Sequence, residues 1–229
     1  MCYFTSTPSK AELKHLFPKY HVDWDGNLYA PDDEYFAVRG FDRPWLPTTL
    51  KESPDSIGLS RWWLMGNNVK EESDYRQYLT LNAKSETLFT SPLYRHFSLN
   101  TGLLWVNGFY EPHKPKLSEK DTVSYYLHLP GKEIFTLGII YAVWNGMPTF
   151  SVITTPANEQ LERIHNDKKR MPLVIPQERR DEWLSAKDKV DVQALMEPWD
   201  GTFLEQQTKE RVTAKKGNLN YPEIQEAVE

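Results

Sequence analysis

Cys2 is the single cysteine of the 229-residue chain and the position where chemistry concentrates first. Methionine aminopeptidase removes Met1 when the next residue is small, so the mature chain is expected to start at Cys2. That start would place an α-amine and a thiol on one carbon skeleton. Their reference pKa values, about 7.7–8.0 and about 8.5, leave both nucleophiles partly available near neutrality. A 1,2-aminothiol that meets an aldehyde first forms an imine, and the sulfur then closes on the same carbon to give a five-membered thiazolidine. Closure is intramolecular, so a high effective molarity favours the ring.

Three other segments carry groups that could serve such a nucleophile. In Leu81-Asn82-Ala83-Lys84-Ser85-Glu86-Thr87 a strand-like run ends in polar residues. The Asn82 amide can donate and accept at once, and Lys84 can meet a phosphate; the same residue types are also ordinary caps. Gly108-Phe109-Tyr110-Glu111 ends an apolar run in a carboxylate, which suits proton transfer near pH 7 if desolvated and faces water if not. The third runs from Ile153-Thr154-Thr155-Pro156-Ala157-Asn158 through Ile164-His165 to Arg170-Met171-Pro172. His165 there falls on or beside the apolar face of an expected helix. Such a histidine is more often packed than catalytic, but its imidazole titrates in the useful range and a cationic loop follows.

The elements that must position these groups are mostly strands. Apolar runs and alternation predict strands over Leu59 to Met65, Leu103 to Glu111, Val123 to Leu129, Ile134 to Trp144 and Thr149 to Thr155. Start signals predict helices opening at Thr7-Pro8, Ser91-Pro92, Thr155-Pro156 and Pro176. Strand pairs without regular intervening helices indicate an α+β fold, with a mainly antiparallel, curled or barrel-like core and helices packed outside. One domain over residues 1–222 with a short, loose acidic tail over 223–229 is expected.

Composition limits the function classes. The hydrophobic share of 39% suits a folded globule, and net charge −5 argues against binding nucleic acid through bulk positive charge. The charge is uneven: Arg163, Lys168, Lys169, Arg170, Arg179 and Arg180 face only Asp167 and Glu178 in their stretch, so a local basic face is open. One cysteine excludes a disulfide framework or a multi-cysteine zinc site and fits a reducing cytoplasm. The longest apolar run is too short for a membrane span, and no secretory signal precedes it.

Taken in this order, Met1-Cys2, Asn82-Ala83-Lys84-Ser85-Glu86-Thr87, Gly108-Phe109-Tyr110-Glu111, and Thr155-Pro156-Ala157-Asn158 with Ile164-His165 and Arg170-Met171-Pro172 resemble the SRAP family, the SOS-response-associated peptidases or abasic-site processing proteins. The similarity runs from residue 1 to about 222. It implies an SRAP-like fold and covalent capture of abasic sites in single-stranded DNA through the N-terminal cysteine. Residue by residue, it makes Cys2 the nucleophile, Asn82 the group that orients it, Glu111 the acid that assists sugar opening and proton transfer, and His165 the group tied to Schiff-base chemistry and reversal. Lys84 and Arg170 match phosphate-contacting positions, with Lys168 and Lys169 nearby, and Trp62 matches a tryptophan of the family's Trp-Gly-Leu strand and is assigned to DNA contact.

The resemblance has departures. Tyr3-Phe4 stands where Gly-Arg usually follows the cysteine, and Pro112 stands where Trp usually follows the acid. The implied chemistry needs no metal and no organic cofactor. The expected partner is single-stranded DNA containing abasic sites, met by a cytoplasmic monomer without membrane contact. Two other readings stay open: a cysteine-type peptidase or autoprocessing hydrolase in which Cys2 attacks a carbonyl with His165 as base, and an inactive single-strand nucleic-acid binder.

Overall fold

The computed structural model describes residues 2–25, 27–28, 33–118 and 120–228. Its strands are Phe4–Thr7 (β1), His21–Val22 (β2), Tyr35–Arg39 (β3), Trp45–Leu50 (β4), Ser53–Trp62 (β5), Asn82–Lys84 (β6) and Thr101–Val106 (β7). They continue with Gly108–His113 (β8), Val123–His128 (β9), Phe135–Trp144 (β10), Met147–Pro156 (β11), Arg170–Pro172 (β12), Val174–Ile175 (β13) and Leu204–Gln207 (β14). The helices are Lys10–Leu16 (α1), Glu72–Tyr75 (α2), Glu159–Ile164 (α3), Arg180–Ser185 (α4) and Lys189–Leu195 (α5).

The expected curled core is a closed ring. β11 pairs with β10, β10 with β7, β7 with β4 and β4 with β5, all antiparallel. A parallel contact then closes the ring, Arg61 against Thr149 and Trp62 against Phe150. Closure leaves no edge among these strands and allows side chains such as Trp62, Leu104, Ile139 and Phe150 to fill one core. A second sheet, ordered β14-β9-β8-β1-β3, lies beside it. The fold is α+β and mainly antiparallel, as expected.

Several boundaries differ from the expected ones. The strand expected over Leu103 to Glu111 is two strands, because the chain passes from the barrel into the second sheet at Asn107, whose N–H donates to the Ser6 carbonyl at 3.1 Å. Gly108 permits that passage: a Cβ there would lie 2.5 Å from the Tyr126 ring and 2.6 Å from the Leu127 carbonyl. The segment after Ser91-Pro92 is a run of turns rather than a helix, with Tyr94 bonded to Ser91 and Phe97 to Tyr94. β11 runs through Thr155 to Pro156, so α3 opens at Asn158, whose side chain accepts from the Leu161 N–H.

The expected tail is built into the fold as far as residue 228. Ile224 is fully buried, the Gln225 side chain donates to the Phe36 carbonyl, and Ala227 bridges to Thr208. Glu229 and Met1 lie outside the described residues. No helix among the described residues is long and apolar enough to cross a membrane.

Trp62 is fully buried and stacks on Phe150, with centroids 6.0 Å apart, and its indole N–H donates to the Leu81 carbonyl at 2.8 Å. It therefore has no ring face to offer a base, and its work is to hold the residue before Asn82 against the barrel. Replacing Trp62 with Ala is expected to cost about 3–5 kcal/mol in urea unfolding. Leu204→Ala, at a half-exposed position, should cost less than about 0.5 kcal/mol. Equal costs would show that barrel closure does not depend on this ring.

Candidate functional site

Cys2 precedes β1 and is held by that strand's pairing. β1 lies antiparallel to β8 with Phe4 against Tyr110, Thr5 against Phe109 and Ser6 against Gly108. Continued outward by one step, the register sets Tyr3 level with Glu111. Alternation along β8 puts Glu111 on the same face as Phe109, a barrel-side core residue. The Glu111 carboxylate is consequently fully buried, and so is Cys2. Burial pushes the Cys2 thiol well above its ordinary range, and the Glu111 charge pushes it further the same way. The sulfur is thus a thiol, not a thiolate, at neutral pH.

His165 comes to Glu111 from the end of α3. Leu161 and Ile164 bury the apolar side of that helix. Its C-terminal end is fastened to the end of β8: the His113 Nδ1 lies 3.1 Å from the Ile164 carbonyl oxygen, and Asn166 and Lys114 exchange hydrogen bonds of 2.9 and 3.1 Å. The His165 Nδ1 then lies 3.2 Å from Glu111 Oε2 and 3.1 Å from the Arg170 carbonyl oxygen. Both neighbours accept hydrogen bonds, so Nδ1 carries the proton and, in the neutral ring, Nε2 carries the lone pair. Burial holds the imidazole below its ordinary 6.5, against the opposing pull of Glu111.

Asn82 lies on β6, which runs parallel to β11 with Asn82 against Val152 and Lys84 against Thr154. Its backbone carbonyl accepts from the Tyr94 hydroxyl at 2.9 Å. Its side-chain Oδ1 and Nδ2 are both buried and make no hydrogen bond to protein atoms among the described residues. Burying such atoms unsatisfied costs on the order of 1–3 kcal/mol each. An amide kept in that condition beside β11 suits a ligand that both donates and accepts.

Arg170 links His165 to the segment that follows Asn82. Its guanidinium makes a two-pronged pair with Glu86, at 2.6 and 2.9 Å, and donates to Thr154 Oγ1 and O. The pair holds the Glu86 carboxyl down to about 2. Arg170, expected to contact phosphate, is thus already occupied, and it places the carbonyl that fixes His165. Lys168 pairs with Asp167 and Lys169 with Glu162, both exposed contacts of the kind worth about 0–1 kcal/mol and easily exchanged. Lys84 is exposed and has no ion pair among the described residues. The basic stretch does not form one face: Arg163 pairs with Glu205, and Arg180 is buried with its guanidinium 4.7 Å from the Trp105 ring centre.

The model of the family described as SOS response associated peptidase (SRAP) matches residues 3–215. The chain belongs to that family. Among its SRAP relatives, the abasic site processing protein YoqW of Bacillus subtilis is 31% identical over 228 residues, covering 95% of this chain and 96% of its own. YobE of the same organism, also named an abasic site processing protein, is 29% identical over 205 residues, covering 85% of this chain and 89% of its own. A crystal structure of a Bacteroides thetaiotaomicron protein matches with a TM-score of 0.86 at 26% identity, covering 99% of this chain and all of that one.

Within this SRAP chain, three residues escaped sequence reasoning: Glu86, which neutralises Arg170; Tyr94, which holds the Asn82 backbone; and Thr154, which anchors Arg170. Each acts through a partner distant in sequence, and no local pattern marks it. The lowered His165 value has a consequence for stability. Because the folded ring takes a proton less readily than the unfolded one, its contribution is complete above about pH 6.5 and is lost as pH falls from there through the folded value. Urea unfolding of the wild type should therefore show a larger stability loss between pH 7.5 and 5.5 than His165→Gln. Identical losses would mean that the imidazole is not held neutral.

Proposed function

We propose that this protein captures the ring-opened aldehyde of abasic sites in single-stranded DNA on Cys2. With Met1 removed, the Cys2 amine adds to C1′ and the carbinolamine loses water to give an imine. The Cys2 sulfur then adds to the same carbon, its proton passing to the imine nitrogen, and a thiazolidine results. The net change is aldehyde plus aminothiol to ring plus one water. The observation that carries this reading is the burial of Cys2 beside the Glu111 carboxylate, which is itself 3.2 Å from the His165 imidazole.

The order of steps follows from the site. A thiol kept protonated by burial and by a neighbouring anion is a poor first nucleophile, which leaves the opening attack to the amine. Glu111 takes a proton from the adding amine, returns it to the hydroxyl that leaves as water, and then relays the thiol proton to the imine nitrogen, its ionised form being held by the His165 Nδ1–H. Neutral His165 receives a proton through Nε2 and returns it to sulfur when the ring reopens. Asn82 supplies a donor and an acceptor to the sugar and the amine together. The same protonated thiol weighs against the peptidase reading, in which an activated thiolate would begin the reaction.

Lys84 contributes a phosphate contact, and Lys168 and Lys169 exchange their carboxylate partners for phosphates when the strand arrives. The names of YoqW and YobE agree with this activity. Incubation with an abasic single-stranded oligonucleotide should give a denaturation-resistant band for the wild type and none for Cys2→Ala. Glu111→Gln should slow its formation by about 10²–10⁴-fold. A band of full intensity from Cys2→Ala would overturn the proposal. Lys84→Ala is expected to lower the slope of log affinity against log salt by about 0.7, measured by fluorescence anisotropy on unmodified single strands. An unchanged slope would remove Lys84 from the interface.

A further inference from the structure

The aromatic contact that the sequence assigns to Trp62 cannot be made by that ring, because it is fully buried. What lies over it is the turn at Gly40–Asp42. A Cβ on Gly40 would stand 3.1 Å from the Trp62 ring, so glycine lets the turn pack directly on the indole. The Gly40 N–H donates to the Tyr3 carbonyl at 2.9 Å, and the Arg43 N–H closes the turn on the Gly40 carbonyl at 2.9 Å, with Arg43 in the left-handed region at φ 55°. The turn is therefore tied to the residue after Cys2 and rests on a rigid floor.

Phe41 projects from this turn, 46% exposed, and its ring centre is 4.9 Å from that of Tyr3, with 34° between the planes. Tyr3 is half-buried and packs on the core cluster that contains Cys2. The β1–β8 register sets it level with Glu111, and burial, then Glu111 and Cys2, push its hydroxyl up. A partly open aromatic pair one residue from the nucleophile is well suited to the π-face of a base.

We propose that Tyr3 and Phe41 form a stacking shelf for the base of the nucleotide adjacent to the abasic residue. The proposal rests on the reading of Cys2 as an abasic-site nucleophile in single-stranded DNA. Phe4, at the position of the family's arginine, is buried and offers the strand no cation, so the shelf meets a base rather than a phosphate. The ligand is a nucleobase within a strand, and discrimination comes from stacking rather than hydrogen-bond readout, so purines are favoured over pyrimidines.

The test uses oligonucleotides carrying one abasic site whose 5′ or 3′ neighbour is adenine, thymine or a tetrahydrofuran spacer without a base. With the wild type, replacing the neighbouring adenosine by the spacer on at least one side should slow crosslinking by about 5-fold or more, the range base–aromatic stacking supplies. Phe41→Ala should lose that preference while crosslinking the spacer substrate at the wild-type rate, and Phe41→Trp should restore it. Equal wild-type rates on all the oligonucleotides, or a preference undiminished in Phe41→Ala, would overturn the shelf and leave the crosslinking chemistry standing.

Equilibrium binding of the same strands to Cys2→Ser and to Cys2→Ser/Phe41→Ala, read by fluorescence anisotropy, examines the shelf without the covalent step. A preference for the base-bearing neighbour that depends on Phe41 supports the proposal, and its absence overturns it. A complete lack of covalent product from the wild type would instead count against the function proposed for Cys2.

Discussion

A carboxylate without solvent, placed between a thiol and an imidazole, is the constraint around which the rest of the molecule is arranged. Glu111 is fully buried within β8, 3.2 Å from the His165 Nδ1. Such a group is costly unless partners are delivered to it in fixed positions. Two features deliver them: the β1–β8 register, which brings the start of the chain alongside Glu111, and the fastening of α3 to the end of β8 through His113 and Asn166. Loosening either would expose the carboxylate or leave it without its imidazole.

The barrel fixes Asn82 and the support of His165. Because β5 closes onto β11, Trp62 sits inside and its indole holds Leu81, which sets the start of β6 and hence Asn82. The same closed ring carries β11, from which Thr154 anchors Arg170, and Arg170 in turn presents the carbonyl that fixes the His165 tautomer. Rigidity in the hydrogen-bond ladder is thus converted into a defined proton position on an imidazole. Local electrostatics then set the protonation states: burial favours the thiol over the thiolate and the neutral imidazole over the imidazolium, and on the proposed function this leaves the first attack to the amine.

Much of this was legible in the sequence because it depends on local pattern. The apolar runs gave β7, β10, β11 and the end of β5 but not β4, the Thr7-Pro8 and Thr155-Pro156 signals gave α1 and α3 a few residues early, and ordered short motifs gave Cys2, Asn82, Glu111 and His165 as the candidate set. What was not legible depends on partners far along the chain. The passage between sheets at Asn107 follows from a hydrogen bond to Ser6, the neutralisation of Arg170 from Glu86, and the burial of Trp62 from the turn at Gly40. The acidic tail looked solvated by composition, yet Ile224 is buried in it and Gln225 and Ala227 tie it to Phe36 and Thr208.

The central claim is that both nucleophiles of Cys2 end on one carbon of the sugar. Tandem mass spectrometry of the N-terminal peptide from the crosslinked product, after digestion of the DNA and treatment with a thiol alkylator, tests it most directly. The account predicts the sugar remnant on Cys2, at the mass of the aldehyde adduct less one water, with the sulfur unalkylated. A remnant on a lysine, or on Cys2 with its thiol still open to alkylation, would contradict it.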